Sequence, residues 1–411
     1  MTFDSLGLSA ELLRAVADEG FIVPTPIQSQ AIPLILGGRD LMGAAQTGTG
    51  KTAAFVLPIF ERLKGHANTS FSPARHPVRA LVLTPTRELA MQVAAMAASY
   101  GRHVALRSAV VFGGVPLDPQ IKELRTGVEL LVATPGRLLD LVGQRAANLG
   151  QVEILVLDEG DRMLDMGFIP DIRRILAFLP ARRQTLLFSA TFSDEIRRLS
   201  REFLNNPATV EVAARNATVS TVREVLYPVD RDLKLELLEH LVRTHDLRQV
   251  LVFTRTKVAA RRIASDLDRH GFAATAIHSD RTQAERIRAL ADFKSGEVEI
   301  LVATDVASRG LDIEELPVVV NFELPMKAED YVHRIGRTAR AGASGIAISL
   351  ACPDEVDFLR GIQRLLRRAI PVEVVEQFLP DPESPVRPLH PRGGDRIPAH
   401  LHKASRVRHT R

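Results

Sequence analysis

The sequence predicts an α/β protein with two doubly wound parallel-sheet domains in tandem and a flexible basic tail. Three observations predict it. The chain has 411 residues, more than one domain of about 100–200 residues accounts for. Short runs rich in Val, Leu and Ile recur through both halves, and continuous apolar runs of this kind read as parallel strands covered on both faces. Longer helix-like segments separate the runs, which is the alternation that winds a parallel sheet.

In order, the first-half runs are 80–83, 108–112, 130–133, 154–157 and 185–188, with a shorter apolar stretch at 40–42 upstream. The second-half runs are 250–253, 274–277, 300–303, 318–322 and 346–350. These place a first domain over 1–211 and a second over 223–375. The segment 212–222 has no clear period and several small polar residues, and is expected to be the linker. The polar stretch 65–77 reads as a surface loop. The segment 376–411 holds six prolines and seven Lys or Arg with few apolar residues, so it is expected to be a flexible basic tail.

Composition narrows the class. Apolar residues make up 45% of the chain, enough for a core in each half without metal or disulfide staples. Cys352 is the only cysteine, which excludes an intramolecular disulfide and a cysteine-based zinc site. No apolar run approaches the roughly 18–20 residues that span a bilayer. Asp4, Glu11, Asp18 and Glu19 stand against Arg14 in the first twenty residues, the wrong charge for a secretion signal, so a cytoplasmic location away from membranes is expected. The formal net charge is only +4, yet the basic groups are 45 Arg and 8 Lys. Arg grips phosphate with a planar fork, which suits a nucleotide or a nucleic acid.

Two segments carry chemistry. Ala45-Gln46-Thr47-Gly48-Thr49-Gly50-Lys51-Thr52 lies between an apolar stretch and a helix-like one. Glycines there let successive N–H groups face phosphate oxygens, Lys51 reaches the outer phosphates, and Thr52 can place its hydroxyl on Mg²⁺. Ile154-Leu155-Val156-Leu157 runs into Asp158-Glu159-Gly160-Asp161. Acids at the carboxyl end of a parallel strand sit where open α/β sheets bind ligands. Asp158 would hold Mg²⁺, and Glu159 would orient and deprotonate the attacking water.

With these segments the chain resembles the DEAD-box RNA helicases of superfamily 2, over roughly residues 3–375. Gly20 to Gln28, with Phe3 upstream, is similar to the Q motif. The resemblance implies that Gln28 reads the adenine edge, that Phe21 stacks on the base, and that Thr25 belongs to the same site. Pro85-Thr86-Arg87-Glu88-Leu89, Gly113-Gly114 and Thr134-Pro135-Gly136-Arg137 resemble the first domain's RNA-backbone motifs. Ser189-Ala190-Thr191 resembles the motif that links nucleotide state to strand separation, with Asp161 and His333 as its coupling partners. In the second half, Arg255, Gln283, Arg286 and Thr304 fall in RNA-contacting motifs. Arg309 and Asp312 fall on the nucleotide, and Arg337 and Arg340 match the arginine fingers. Segments around 163–168 and 310–317 resemble the bacterial RhlE-type branch.

The resemblance implies two RecA-like domains that share ATP and one RNA strand, so that neither site is complete until the halves close. An arginine finger is worth about 10³–10⁵ in rate, so the open enzyme should be nearly idle. Aromatic residues are only 5% of the chain and Trp is absent, which favours gripping the sugar–phosphate backbone over stacking on particular bases. The expected agent is a monomer acting on single-stranded RNA or short duplexes, alone or within ribosomal or decay machinery. Three residues depart from the family pattern, Gly160, Ser279 and Ala339, and Gly160 and Ala339 leave an alternative: a nucleotide-gated RNA clamp with weak ATPase.

Overall fold

The computed structural model describes residues 2–45, 49–190, 192–212, 222–308, 313, 316–338 and 345–381. The first lobe is built on β1 Leu41–Ala44, β2 Ala80–Leu83, β3 Ser108–Val111, β4 Leu130–Ala133, β5 Ile154–Leu157, β6 Gln184–Ser189 and β7 Ala208–Glu211. They form one parallel sheet in the order β3-β4-β2-β5-β6-β1-β7. The second lobe holds β8 Val222–Pro228, β9 Val250–Thr254, β10 Ala274–Ile277, β11 Ile300–Thr304, β12 Val318–Asn321 and β13 Gly345–Ala351. Its parallel sheet runs β10-β11-β9-β12-β13-β8.

The central strands are buried on both faces because their residues alternate between two cores. Ala80, Val82, Leu130, Val132, Ile154 and Val156 meet Phe55, Phe60 and Ile32 on one face. Leu81, Leu131, Leu155 and Leu157 meet Met163 and Ile172 on the other. The second sheet divides in the same way, with Val250, Val252, Ile300 and Val302 in one cluster and Leu251, Phe253, Leu301 and Ala303 in the other. Truncating any of these leucines to Ala is expected to cost about 2–5 kcal/mol.

The strand order sorts the loops. In the first sheet the carboxyl ends of β5, β6 and β1 are neighbours, and so are those of β3, β4 and β2. The phosphate loop, the Asp158 acids and the Ser189 segment therefore share one half of the sheet edge. The Thr86, Gly113 and Thr134 segments share the other.

Four expectations are corrected. Strands β7 and β8 were not foreseen, and Val222, placed in the linker by its sequence, is the first residue of β8 and pairs with Gly345. Val212, at the linker's other end, donates its N–H to Ala44 O at 3.1 Å, and 213–221 lie outside the described residues. The loop at 65–77 is anchored: 3-10 turns cover Lys64–His66 and Pro73–Arg75, and buried His76 places Nδ1 2.5 Å from Glu129 Oε1. The tail begins folded, because Glu376–Phe378 forms a 3-10 turn that buries Phe378 against His240, ring centroids 5.6 Å apart. Residues 382–411 lie outside the described residues. Several runs also differ by a residue or two at their ends, as where Thr254 and Thr304 extend β9 and β11.

The lobes meet. Gln283 Nε2 donates to Glu88 Oε1 at 3.2 Å, and Arg286 lies 3.0 Å from the same oxygen. Lys327 Nζ donates to Asp165 Oδ1 at 2.6 Å. Among the described residues no helix is long and apolar enough to cross a membrane.

Candidate active site

The phosphate loop leaves β1 and enters the helix Lys51–Leu63 through Gly50, whose φ of 89° is left-handed and favours glycine. A Cβ there would also collide with the Gln28 amide. Gln28 is buried, with Nε2 donating to Gly50 O at 3.1 Å and Oε1 accepting from Thr25 N at 2.9 Å. The expected adenine reader thus ties the Q motif to the phosphate loop. Phe21 leaves a ring 47% exposed, open to a stacking partner. Lys51 is buried, yet its Nζ has no hydrogen-bond partner among the described residues. A buried ammonium costs several kcal/mol unless an anion meets it, so this position fits a phosphate. Thr52 is half-buried one residue further on, while Gln46, Thr47 and Gly48 lie outside the described residues. Thr49 is described and takes part in a polar contact.

The acids stand beyond the end of β5. Burial pushes Asp158 up to about 6, with Lys51 opposing the shift and Glu159 adding to it. Its Oδ1 accepts from Glu159 N at 3.0 Å. Glu159 is buried in the left-handed region, φ 53°, ψ 53°, immediately before the helix Gly160–Asp165. Its Oε2 lies 3.2 Å from Arg162 Nε, near enough to attract as a charge, but it accepts no hydrogen bond among the described residues. A divalent cation fits beside Asp158, since it would supply the positive charge that the buried carboxylate lacks.

Asp161 reaches two backbone donors, Arg162 N at 2.9 Å and Ala190 N at 3.0 Å. Burial raises its pKa, but the charges of His333, Lys51 and Arg162 and a hydrogen bond from Ser189 outweigh it, so the carboxyl ends below its usual range. His333 belongs to the other lobe, so the structure brings Asp161, Ser189 and His333 together as expected. Thr191 lies outside the described residues. Gly160 follows directly on Glu159. It opens the helix, and a Cβ on it would lie 2.6 Å from Leu187 Cδ1, so the neighbouring side chain already fills that space.

Across the cleft, Arg162, Phe253, Asp305, Asp330, His333, Arg334 and Arg337 line a small, partly open inter-lobe pocket. Arg334 is buried, clasping Asp305 at 2.7 and 2.8 Å and reaching Asn321 Oδ1 at 3.1 Å and Glu323 O at 2.6 Å. It holds the helix Ala328–Ile335 against β11 and β12, and so aims His333 and Arg337 at the cleft. Arg309, Asp312, Ala339 and Arg340 lie outside the described residues.

The other half of the sheet edge gathers the expected RNA residues of the first lobe. Arg87 lies over Gly114, where any Cβ would strike its guanidinium, and Gly113 flanks it. Arg137 Nη2 donates to Val115 O at 2.9 Å, while its buried Nη1 has no partner among the described residues. Pro85 is buried. Thr86 caps the helix Arg87–Tyr100 by accepting from Leu89 N at 3.3 Å, and Thr134 stands buried before the helix Pro135–Gly143. In the second lobe Thr304 ends β11.

Three second-lobe residues have partners within the protein. Arg255 pairs with Glu323 at 3.2 Å and Glu355 at 3.3 Å, and Gln283 and Arg286 hold Glu88 across the lobe junction. Glu88, Asp305, Glu323 and Arg334 were missed by sequence reasoning. Glu88 and Arg334 lie inside motifs that were recognised, but their partners sit far away in the chain. Ser279 is exposed and finds room for its side chain.

A DEAD/DEAH box helicase model matches residues 25–199, and a helicase conserved C-terminal domain model matches 233–342. The DEAD-box ATP-dependent RNA helicase CshA of Geobacillus kaustophilus is 44% identical over 89% of this chain and 77% of its own length. CshA of Bacillus cereus is 43% identical over 89% and 68%. Among solved structures, S. cerevisiae Dbp5 bound to RNA and ADP BeF3 is similar with a TM-score of 0.79 at 31% identity, covering 91% of this chain and 95% of that one. Mss116p bound to ssRNA and AMP-PNP gives 0.80 at 28% identity, covering 92% and 80%. A DEAD box protein of Methanococcus jannaschii, 36% identical over 92% and 99%, gives only 0.50. Scores near 0.8 over nine-tenths of the chain require both lobes to superpose at once, so the lobes here are arranged as in those RNA complexes. With this cleft, these motifs and these relatives, the chain belongs to the DEAD/DEAH box helicase family.

Proposed function

We propose that this chain is an ATP-dependent RNA helicase that grips RNA backbone without regard to sequence, and that RNA-stimulated ATP hydrolysis drives it to open short duplexes or remodel RNA–protein complexes. The observation that carries the reading is the inter-lobe cleft, where Asp161 of one lobe lies in the field of His333 of the other. Lys51 and the phosphate loop would bind the phosphates, with Arg337 and Arg340 meeting the γ-phosphate from across the cleft. Thr52 and Asp158 would hold Mg²⁺, which supplies charge neutralisation on the phosphates. Glu159 would orient the attacking water and take its proton. Phe21, Thr25 and Gln28 would make the adenine side, and the family resemblance assigns Arg309 and Asp312 to the nucleotide as well.

On the RNA side, Arg87, Gly113, Gly114, Thr134, Arg137 and Thr304 would follow the backbone. Closure would complete both sites at once, so RNA and nucleotide favour each other through one equilibrium. One chain supplies both walls of the cleft, so a monomer suffices. An RhlE-type placement rests on the 163–168 and 310–317 segments alone.

Phosphate release with and without single-stranded RNA tests the reading. Wild-type protein is expected to accelerate strongly on RNA, and Glu159→Gln to remain at the idle rate. A wild-type rate no higher than that control would favour the clamp.

A further inference from the structure

The anchored loop between the helix Lys51–Leu63 and β2 displays Phe71 at 95% exposure. A bare aromatic at a loop tip is ordinarily a liability, yet this loop is held firmly. Ser70 O accepts from His76 Nε2 and from Arg107 Nη2, both at 2.8 Å. Behind it, Glu129 takes His76 on one oxygen and Arg107 N on the other at 2.8 Å. The His76 and Glu129 side chains are fully buried, so two ionisable groups have been taken out of water to fix the backbone next to Phe71.

Position matters as much as rigidity. The loop enters β2, while Arg107 precedes β3 and Glu129 precedes β4. All three stand at the amino edge of the sheet, a strand length of about 13 Å from the carboxyl edge that carries the cleft. Phe71 therefore serves neither the ATP site nor the RNA path already described. Its neighbours Thr69, Ser70 and Ser72 are polar, so the ring offers a face to stack on instead of the continuous apolar area that a stable protein interface buries. Arg75, four residues on, is exposed, and its guanidinium has no hydrogen bond or ion pair among the described residues.

We propose that Phe71 and Arg75 form a second RNA contact outside the cleft, where an unpaired base stacks on the ring and an adjacent phosphate pairs with the guanidinium. It would tether a long RNA while the cleft releases and regrips it. This rests on RNA being the substrate, and the test separates the two claims. Binding and ATPase are measured for Phe71→Ala, Phe71→Tyr and Arg75→Ala with an oligouridine of about 10 nucleotides, which fills only the cleft, and one of about 40.

Phe71→Ala is expected to bind the long RNA about fivefold or more weakly, the lower end for loss of one stacked base, and the short RNA unchanged. Phe71→Tyr is expected to behave as wild type, and Arg75→Ala to flatten the salt dependence on long RNA by roughly 0.7. ATPase at saturating short RNA should be the same in all. Equal affinity of wild type and Phe71→Ala for the long RNA, or equal weakening on both lengths, would overturn the proposal. Failure of wild-type protein to bind or respond to either RNA would overturn the RNA reading beneath it.

Discussion

Asp158 and Glu159 show a site held away from its own stability optimum. Glu159 sits at a positive φ that costs a non-glycine residue about 1–3 kcal/mol, and its neighbour is a carboxylate buried beside it. Because Asp158 is raised from 3.8 to about 6, its ionisation opposes folding. The sign follows from linkage: this penalty is absent below the unfolded-state value and grows as pH rises through the folded one. Asp158→Asn is therefore expected to stabilise the unliganded protein by up to about 3 kcal/mol at pH 8, from roughly two pKa units. The gain should fade between pH 6 and 4 and vanish below, while RNA-stimulated ATPase is lost at every pH. Chemical denaturation across that range reads it, and an equal or lower stability at pH 8 refutes it. At Gly160 two effects compete. An alanine would gain about 0.5–1 kcal/mol of helix propensity, but it would overpack Leu187 at about 1–3 kcal/mol, so packing wins. Gly160→Ala should lower Tm by a few degrees, and trimming the neighbour in Gly160→Ala/Leu187→Val should recover part of it. Lys51, Asp158 and Glu159 were legible because phosphate chemistry demands those groups at those spacings. The strain at Glu159 was not, since only the built turn reveals its φ.

At the scale of elements, the central strands, buried on both faces, declared themselves. Ala80–Leu83, Leu130–Ala133 and Ile154–Leu157 are continuous apolar runs, and their limits agree with the sequence reading to the residue. Two of the four edge strands were hidden. β7 reads Ala-Thr-Val-Glu and β8 contains Arg223 and Glu224, mixed patterns that edge positions permit. The anchored loop was equally hidden, because His76 and Glu129 are 53 residues apart and nothing local in the sequence announces their pairing. The same limit concealed the lobe junction, where two contacts differ sharply in weight. Glu88 is buried against Gln283 and Arg286, so removing it strips a largely buried guanidinium of its carboxylate and leaves it the Ala307 carbonyl, at up to about 3–5 kcal/mol. That cost falls on closure, since open lobes would return Arg286 to water. Lys327 is 60% exposed in its pair with Asp165, a class worth about 0–1 kcal/mol. Glu88→Ala is accordingly expected to raise the RNA concentration for half-maximal ATPase by about a hundredfold or more, with Tm little changed. Lys327→Ala should shift it less than about fivefold. Equal effects of the two variants would deny that Glu88 is the principal latch.

For the whole molecule the question is what the free energy of closing is made of. Each lobe has its own cores and its own sheet, so the lobes can part without either unfolding. The cleft concentrates charge that closure organises: Lys51 without a hydrogen-bond partner among the described residues, Asp161 held below its usual range by His333, Lys51 and Arg162, and Arg337 buried on the opposing wall. A triphosphate completes this arrangement by giving the cations an anion, and RNA adds contacts to both lobes at the other half of the edge. Either ligand alone leaves one half of the junction incomplete. Closure should therefore require both together, with a coupling of roughly 1–3 kcal/mol between the two ligands. Small-angle scattering on protein lacking 382–411 tests it. A nonhydrolysable ATP analogue with oligouridine should draw the radius of gyration toward the roughly 21 Å of a compact body of this size. Each ligand by itself should leave it larger, and Glu88→Ala should remain extended even with both. Compaction by nucleotide alone would show that RNA does not close the lobes, and the hydrolysis step would then need a different trigger.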